Sequence, residues 1–205
     1  MDTAFLITAF VTLFVVIDPI GLAPMFVALT SGADTAHRRA IALRSCTIAV
    51  GLLTVFGLAG ESILTFVGIS MPAFQIAGGI LLFLTALEML FERRSQRRRG
   101  QSANASDPSV FPLATPLIGG PGAMATMILL TGQADGVAAL IWIHVVMFAV
   151  VLVVLAFFLA APLMERALGD TGINVVTRLL GMLLAALSVQ FVLDGIAGIG
   201  LASMG

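Results

Sequence analysis

The sequence predicts an all-α polytopic membrane protein with six transmembrane helices, built as two inverted-topology three-helix repeats with helices 1 and 4 broken. Three observations carry this expectation. Continuously apolar runs of about twenty residues, enough to cross a bilayer, recur along a 205-residue chain that is 60% hydrophobic, 10% charged and of mean hydropathy +1.12. All ten basic residues are Arg, and they fall in alternate loops. Two of the apolar runs carry a Gly/Pro-rich interruption in which the prolines have the same separation. A soluble domain of this size cannot hide so much apolar surface, and a membrane barrel would alternate apolar with polar residues.

Taken in order, the spans lie at about 4–29, 40–66, 72–91, 111–131, 137–163 and 175–198. The first has no small-residue cleavage site after a basic start, so it reads as a retained span and not a signal peptide. The loop after it holds His37, Arg38 and Arg39, with Arg44 at the start of the second span. Arg93, Arg94, Arg97, Arg98 and Arg99 follow the third, and Arg166 and Arg178 flank the turn between the fifth and sixth. The opposite side offers Asp2, Glu61 and Asp135 and no basic residue. The positive-inside rule therefore places both termini outside the cytoplasm. The run from Arg93 to Arg99 has no interleaved aromatic residues, so it reads as a topology determinant or an anionic-lipid contact, and no nucleic acid is expected. Residues 1–92, a basic linker 93–110 and residues 111–205 then form the first repeat, its connection and the second repeat. Cys46, the only cysteine, reads as a small packing residue.

The first interruption is Ile17-Asp18-Pro19-Ile20-Gly21-Leu22-Ala23-Pro24. Each proline in a helix interior costs about 3 kcal/mol, and an Asp at the centre of a spanning helix costs about 2.5–3.5 kcal/mol on insertion scales. Polar groups at that depth survive against protein or a water-lined cavity. A kink capped by a buried Asp explains the stretch on structural grounds alone. A second copy argues for more. In Phe111-Pro112-Leu113-Ala114-Thr115-Pro116-Leu117-Ile118-Gly119-Gly120-Pro121-Gly122-Ala123, Pro116 and Pro121 match Pro19 and Pro24, and Thr115 falls opposite Asp18. Further on, Gly68 and Gly79 resemble Gly169 and Gly181, and Glu88 falls opposite Gln190. The loop count starts the two halves on opposite sides of the membrane.

Inverted repeats that each open on a broken helix point to a secondary-transporter site at the bilayer midplane. Half-helix N-termini present amide N–H groups suited to a carboxylate. C-terminal half-ends present carbonyls suited to an ammonium group or a cation. Asp18, Pro19, Gly21, Leu22 and Pro24 with Thr115, Pro116, Gly119, Gly120, Pro121 and Gly122 are the candidate substrate-binding residues, with the glycines leaving room for a small zwitterion. Asp18, Asp194 and Gln190 are the candidate polar lining for coupling; Gln190 and Asp194, four apart, share a face and are expected to turn towards the bundle interior.

The two Gly/Pro stretches, together with Arg178-Leu179-x-Gly181 and Gln190-Phe191-x-Leu193-Asp194-Gly195, resemble the MarC-related family of integral membrane proteins over nearly the whole chain. That family includes small neutral amino acid transporters. The resemblance implies six spans, a bacterial or archaeal cell-membrane location and, for some members, proton-linked movement of glycine- or alanine-like substrates. Two positions depart from the pattern: Leu22 stands where Asn is usual, and Ala125 where a hydroxyl residue is common.

The remaining polar residues have structural readings. Glu88 is expected to pair with Arg93 or Arg94 or to snorkel, His144 to bond another helix, and Trp142 to anchor at the membrane interface. No metal-ligand spacing is present, so no metal and no cofactor are expected. Two other functions compete with transport. One is a membrane scaffold or regulatory protein; the other is an intramembrane aspartyl protease using Asp18 and Asp194, disfavoured because the two differ in depth by several turns.

Overall fold

The computed structural model describes residues 3–30, 32–91 and 108–202, apart from the side chains of 162, 164–168, 170 and 200–202. The arginines from Arg93 to Arg99, most of the linker and the side chain of Arg166 lie outside that set.

The first apolar run folds as α1 (Thr3–Ile17) and α2 (Pro19–Leu29), which together make one 27-residue span. Helix α3 (Thr35–Val67) starts earlier than its apolar run because Asp34 caps it, accepting the His37 N–H at 2.7 Å. It ends where Gly68 turns left-handed (φ 81°) and Ile69 N–H donates back to the Leu64 carbonyl at 2.9 Å. Ser70 caps α4 (Met71–Leu90), whose Pro72 sits in the first turn, where no intrahelical donor is lost.

The second interrupted run behaves differently. Its first part, α5 (Ser109–Ile118), is wound in wide turns closed by Leu113 N–H to the Pro108 carbonyl (3.2 Å) and Gly119 N–H to the Ala114 carbonyl (2.9 Å). Phe111 and Thr115 are extended, as residues before proline prefer to be, and both X–Pro peptides are cis. After Gly119 and Gly120 the chain bends by 52° into α6 (Pro121–Gly132). The linker expected to run to residue 110 thus gives way to ordered turns at Ser109. Helix α7 (Val137–Ala202) is divided by Gly169, whose φ of 62° and ψ of 174° no helical residue adopts. Its two arms, Val137–Ala161 and Thr171–Ile199, are each long and apolar enough to cross a membrane. The described residues therefore form an all-α polytopic membrane protein of five candidate spans, or six with the bent α5–α6 pair taken as one.

Glycines set the packing, as they do where lipid tails leave no hydrophobic drive between helices. A Cβ on Gly79 would sit 2.8 Å from the Ser188 carbonyl and 2.8 Å from Val192; one on Gly181 would meet Met89 at 3.0 Å, and one on Gly195 the Pro72 carbonyl at 2.9 Å. Partners on α4 fall in number as those on the second arm of α7 rise, so the two run antiparallel. By the same reasoning α6 runs parallel to α3, because Gly119 meets Leu52, Gly57 meets Met127 and Gly60 meets Ile128. It runs antiparallel to α4, because Gly122 meets Leu82 and Gly78 meets Leu129. Phe26 of α2 stacks on Phe158 of the first arm of α7, with centroids 4.4 Å apart.

The Gly79 contact is with backbone and cannot be relieved by a rotamer change. Gly79→Leu is expected to separate α4 from the second arm of α7 and cost about 1–3 kcal/mol. A thermal melt in detergent, with the exposed Ile80→Leu as control, measures it; equal melting temperatures would show that this contact does not hold the pair.

Candidate site at the two helix breaks

Asp18 is the one described non-glycine residue with a positive φ (58°, with ψ 65°). Pro19 bars the ordinary helical conformation at the residue before it, and Asp tolerates the left-handed region better than most. The break leaves few groups unpaired. Asp18 N–H donates to the Phe14 carbonyl at 2.9 Å, its own carbonyl accepts from Leu22 N–H at 3.0 Å, and its Oδ1 accepts from Gly21 N–H at 3.0 Å. Asp18 is 1% exposed, and its carboxylate sits at the positive end of α2.

Glycine at the candidate positions follows from these local closures. A Cβ on Gly21 would collide with the Asp18 carboxylate, and one on Gly120 with the Pro116 carbonyl. One on Gly119 would lie 2.9 Å from Leu52. The space expected for a small substrate at Gly21 and Gly120 is taken by the protein's own oxygens. Leu22 is fully enclosed in the core, Pro19 and Gly122 are buried, and Pro24 and Pro116 are half-buried.

The two breaks are neighbours. A Cβ on Gly122 would lie 3.2 Å from Val16, 3.3 Å from Leu82 and 3.8 Å from the Thr85 hydroxyl. The start of α6 therefore abuts the end of α1 against the middle of α4. Their chemistry differs, however. Helix α6 begins at Gly120 without a side-chain cap, and its first backbone bond runs from Met124 N–H to the Gly120 carbonyl at 2.9 Å. The N–H groups of Gly122 and Ala123 precede that bond, in a buried place where a capping carboxylate would ordinarily be found.

Helix starts also pair differently from the sequence matching. Pro19 opens α2 and Pro121 opens α6, whereas Pro24 lies inside α2 and Pro116 inside α5. Asp18 thus corresponds in position to Gly120, not to Thr115, because the wide turns of α5 use five more residues before a regular helix resumes. Thr115 and Pro121 are exposed. Two residues that sequence reading passed over belong here. Thr12, one turn from Val16 on the same face, is fully buried with no partner for its hydroxyl. Thr126, one turn beyond Gly122, bonds the Gly122 carbonyl at 2.9 Å. A hydroxyl six residues outward from each break, Thr12 from Asp18 and Thr126 from Gly120, was the available signal.

Gln190 and Asp194 require a correction. They do share a face, with Gln190 Nε2 donating to Asp194 Oδ1 at 2.7 Å, but both are exposed on the outside of the bundle. The buried face is the opposite one, carrying Gly181, Leu184, Ser188 and Gly195, and Gly181, Ser188 and Gly195 meet α4 across it. Gly195 packs at Pro72 and Ile76 whereas the breaks lie level with Thr85, about 13 Å further along α4. Asp18 and Asp194 therefore form no dyad. His144 also differs from expectation. Its Nδ1 bonds the Leu140 carbonyl of its own helix at 2.8 Å, and Nε2 lies beside Gly57 without a partner. Trp142 is exposed near the start of its span. Glu88 is half-buried, and Arg93 and Arg94 lie outside the described residues. Among the described residues no three His, Cys, Asp or Glu side chains group as metal ligands. A cavity of about 370 Å³ opens at the far end of α2, between Phe26, Phe158, Arg38 and Arg39, and not at the breaks.

Apolar spans, glycine-packed helices and a polar break buried at mid-depth define an integral membrane protein of the polytopic helical class. The MarC family of integral membrane proteins matches residues 3–200, and the chain belongs to that family. It is 38% identical over 199 residues to a UPF0056 membrane protein of Archaeoglobus fulgidus, covering 95% of this chain and 93% of that one. It is 36% identical over 192 residues to the UPF0056 inner membrane protein YhgN of Escherichia coli, covering 93% and 95%. A UPF0056 membrane protein of Methanocaldococcus jannaschii is 34% identical over 203 residues, covering 97% and 98%. No solved structure matches the chain.

The Asp18 cap and Gly21 make a testable unit. Gly21→Ala is expected to expel the carboxylate and cost about 0.5–2 kcal/mol, the worth of an N-cap. Asp18→Asn keeps an acceptor oxygen and is expected to melt close to the parent. In the Gly21→Ala background, Asp18→Ala is expected to cost little more. Full additivity of the two in melting experiments would show that they act separately.

Proposed function

We propose that the protein is a secondary transporter of small neutral amino acids, glycine- or alanine-like, in the cell membrane, coupled to protons through Asp18. The observation that carries this reading is the uncapped start of α6 buried beside the Asp18 break. The Gly122 and Ala123 N–H groups, at a positive helix end, suit a substrate carboxylate, and the Pro116 carbonyl beside Gly120 suits its ammonium group. Gly119, Gly120, Pro121 and Pro116 shape one side, with Thr115 at its outer edge. Asp18, Pro19, Gly21, Leu22 and Pro24 shape the other, and Thr12 and Thr126 offer hydroxyls within two turns. Leu22 and Ala125 make the lining less polar than the family pattern, which favours a substrate with little side chain.

Span directions support an inverted repeat. With α6 parallel to α3 and antiparallel to α4, the first three spans and the last three start in opposite senses. The confinement of Arg to alternate loops supports an orientation with both termini outside the cytoplasm. The protein's own oxygens fill the space at Gly21 and Gly120, an observation that favours a rigid scaffold or regulatory protein as the second reading. Transport then requires the α1–α2 and α5–α6 spans to part around the substrate, as repeats do in alternating access.

Purified protein in liposomes with labelled alanine and glycine separates the two readings, since a scaffold moves neither. Asp18→Asn is expected to fold but to lose the dependence of uptake on a proton gradient; parent-like uptake by this variant across a pH series would reduce Asp18 to a structural cap. Cysteines placed singly at Ser102 and Ala202 in a Cys46→Ala background test the orientation. An impermeant thiol reagent on intact cells is expected to label position 202 and spare 102, and the reverse pattern would overturn the assignment.

A further inference from the structure

The cavity at the far end of α2 has two chemically distinct halves. Phe26 and Val27, in the last turn of the Thr3–Leu29 span, and Phe158 and Leu159, in the last turn of the Val137–Ala161 span, form an apolar wall. Val27 is half-buried and Leu159 exposed, so the wall is open at its side. The other half belongs to the start of α3 and carries Asp34, Arg38 and Arg39. Two apolar spans thus end where two guanidinium groups begin, and about 370 Å³ of space lies across that boundary, a volume in the range of ligand pockets. The charged half keeps most of its donors. Arg38 uses Nε on the Thr30 carbonyl at 3.2 Å, which holds its side chain beside the end of α2 and leaves Nη1 and Nη2 for another acceptor. Among the described residues no carboxylate forms an ion pair with Arg38 or Arg39. Asp34, the acidic member of the lining, has its Oδ1 on the His37 N–H at 2.7 Å.

We infer that this cavity binds an anionic phospholipid, with the phosphodiester on Arg38 and Arg39 and the start of an acyl chain along Phe26, Val27, Phe158 and Leu159. Guanidinium groups match phosphate oxygens in fork geometry, and basic pockets between transmembrane helices suit acidic headgroups. Charge selects the kind of lipid. Two guanidinium groups against one carboxylate leave the lining one positive charge in surplus, which a lipid of single negative charge, such as phosphatidylglycerol, neutralises. In a zwitterionic lipid the ammonium group cancels the phosphate, and the surplus stays unmet. A free phosphate would satisfy the arginines but leave the apolar wall uncovered. The seated lipid joins α2, α3 and the first arm of α7 at the end of the molecule that carries these arginines. Phe26 lies eight residues beyond Asp18, about 12 Å along α2. The helix breaks are therefore separate from this site, and the inference stands whether or not the protein transports amino acids.

Native mass spectrometry of the detergent-purified protein, titrated with phosphatidylglycerol or phosphatidylcholine, tests it. The first phosphatidylglycerol is expected to bind about tenfold tighter than the first phosphatidylcholine. Arg39→Gln, at an exposed position, is expected to fold and to weaken phosphatidylglycerol binding by about tenfold, the worth of one charge-assisted hydrogen bond. Ala33→Leu places bulk in the cavity and leaves every charge in place, so an equal loss there separates a seated lipid from general attraction to a basic surface. Melting temperatures check that both variants fold; should Ala33→Leu fail to, Arg39→Gln carries the decision. Glycerophosphoglycerol, the headgroup without its chains, is expected not to compete at the same concentration. Equal affinity for the two lipids, parent-like binding by Arg39→Gln or by a folded Ala33→Leu, or competition by the chainless headgroup as strong as by the lipid would overturn the proposal.

Discussion

Everything in this fold depends on satisfying backbone polar groups where no water can reach them. An unpaired N–H or C=O in hydrocarbon costs several kcal/mol, so a spanning segment can be interrupted only if protein atoms replace the lost partners. Asp18 meets that requirement in one residue. Its left-handed backbone keeps the bonds to Phe14 and Leu22, and its side chain takes the Gly21 donor. The α1–α2 span is consequently interrupted without being deeply bent. The α5–α6 span satisfies its groups by another route, closing wide turns on the Pro108 and Ala114 carbonyls and then bending by 52°.

The same requirement explains why glycines gather where they do. Each break places an oxygen, the Asp18 carboxylate or the Pro116 carbonyl, in the volume a Cβ would occupy. Away from the breaks, Gly79, Gly181 and Gly195 admit backbone or side-chain atoms of a neighbouring helix. The two sets have different causes although they look alike in the sequence. The first belongs to local chain closure and the second to contact between helices.

That distinction marks how far the sequence could be read. Spans, class and family follow from long apolar runs and from motifs whose residues are contiguous, and the observed ends differ from the expected ones mainly where a cap such as Asp34 extends a helix. The position of the second break was not legible. Matching prolines set Pro116 against Pro19, but the wide turns of α5 move the helix start to Pro121, a shift governed by hydrogen-bond closure and not by residue identity. Nor was the orientation of the last span. Gln190 and Asp194 share a face by spacing alone, but which face turns inward depends on where Gly79 and Gly195 let α4 and α7 meet, a contact between residues far apart in the chain. The buried hydroxyls of Thr12 and Thr126 were missed because threonine in an apolar helix bonds its own backbone in most settings.

Helix α3 carries a further consequence. Its 33 residues rise about 50 Å, well beyond a hydrocarbon core of about 30 Å. The excess must be tilted or carried past the lipid boundary. His37, Arg38, Arg39 and Arg44 all lie in its first three turns, and the Arg38 Nε donates to the Thr30 carbonyl at 3.2 Å, tying that end to α2. Arg44 is the innermost of these charges and meets the hydrocarbon edge first as a bilayer thickens. Through α3 and its tie to α2, the thickness of the surrounding lipid bears mechanically on the span that contains Asp18.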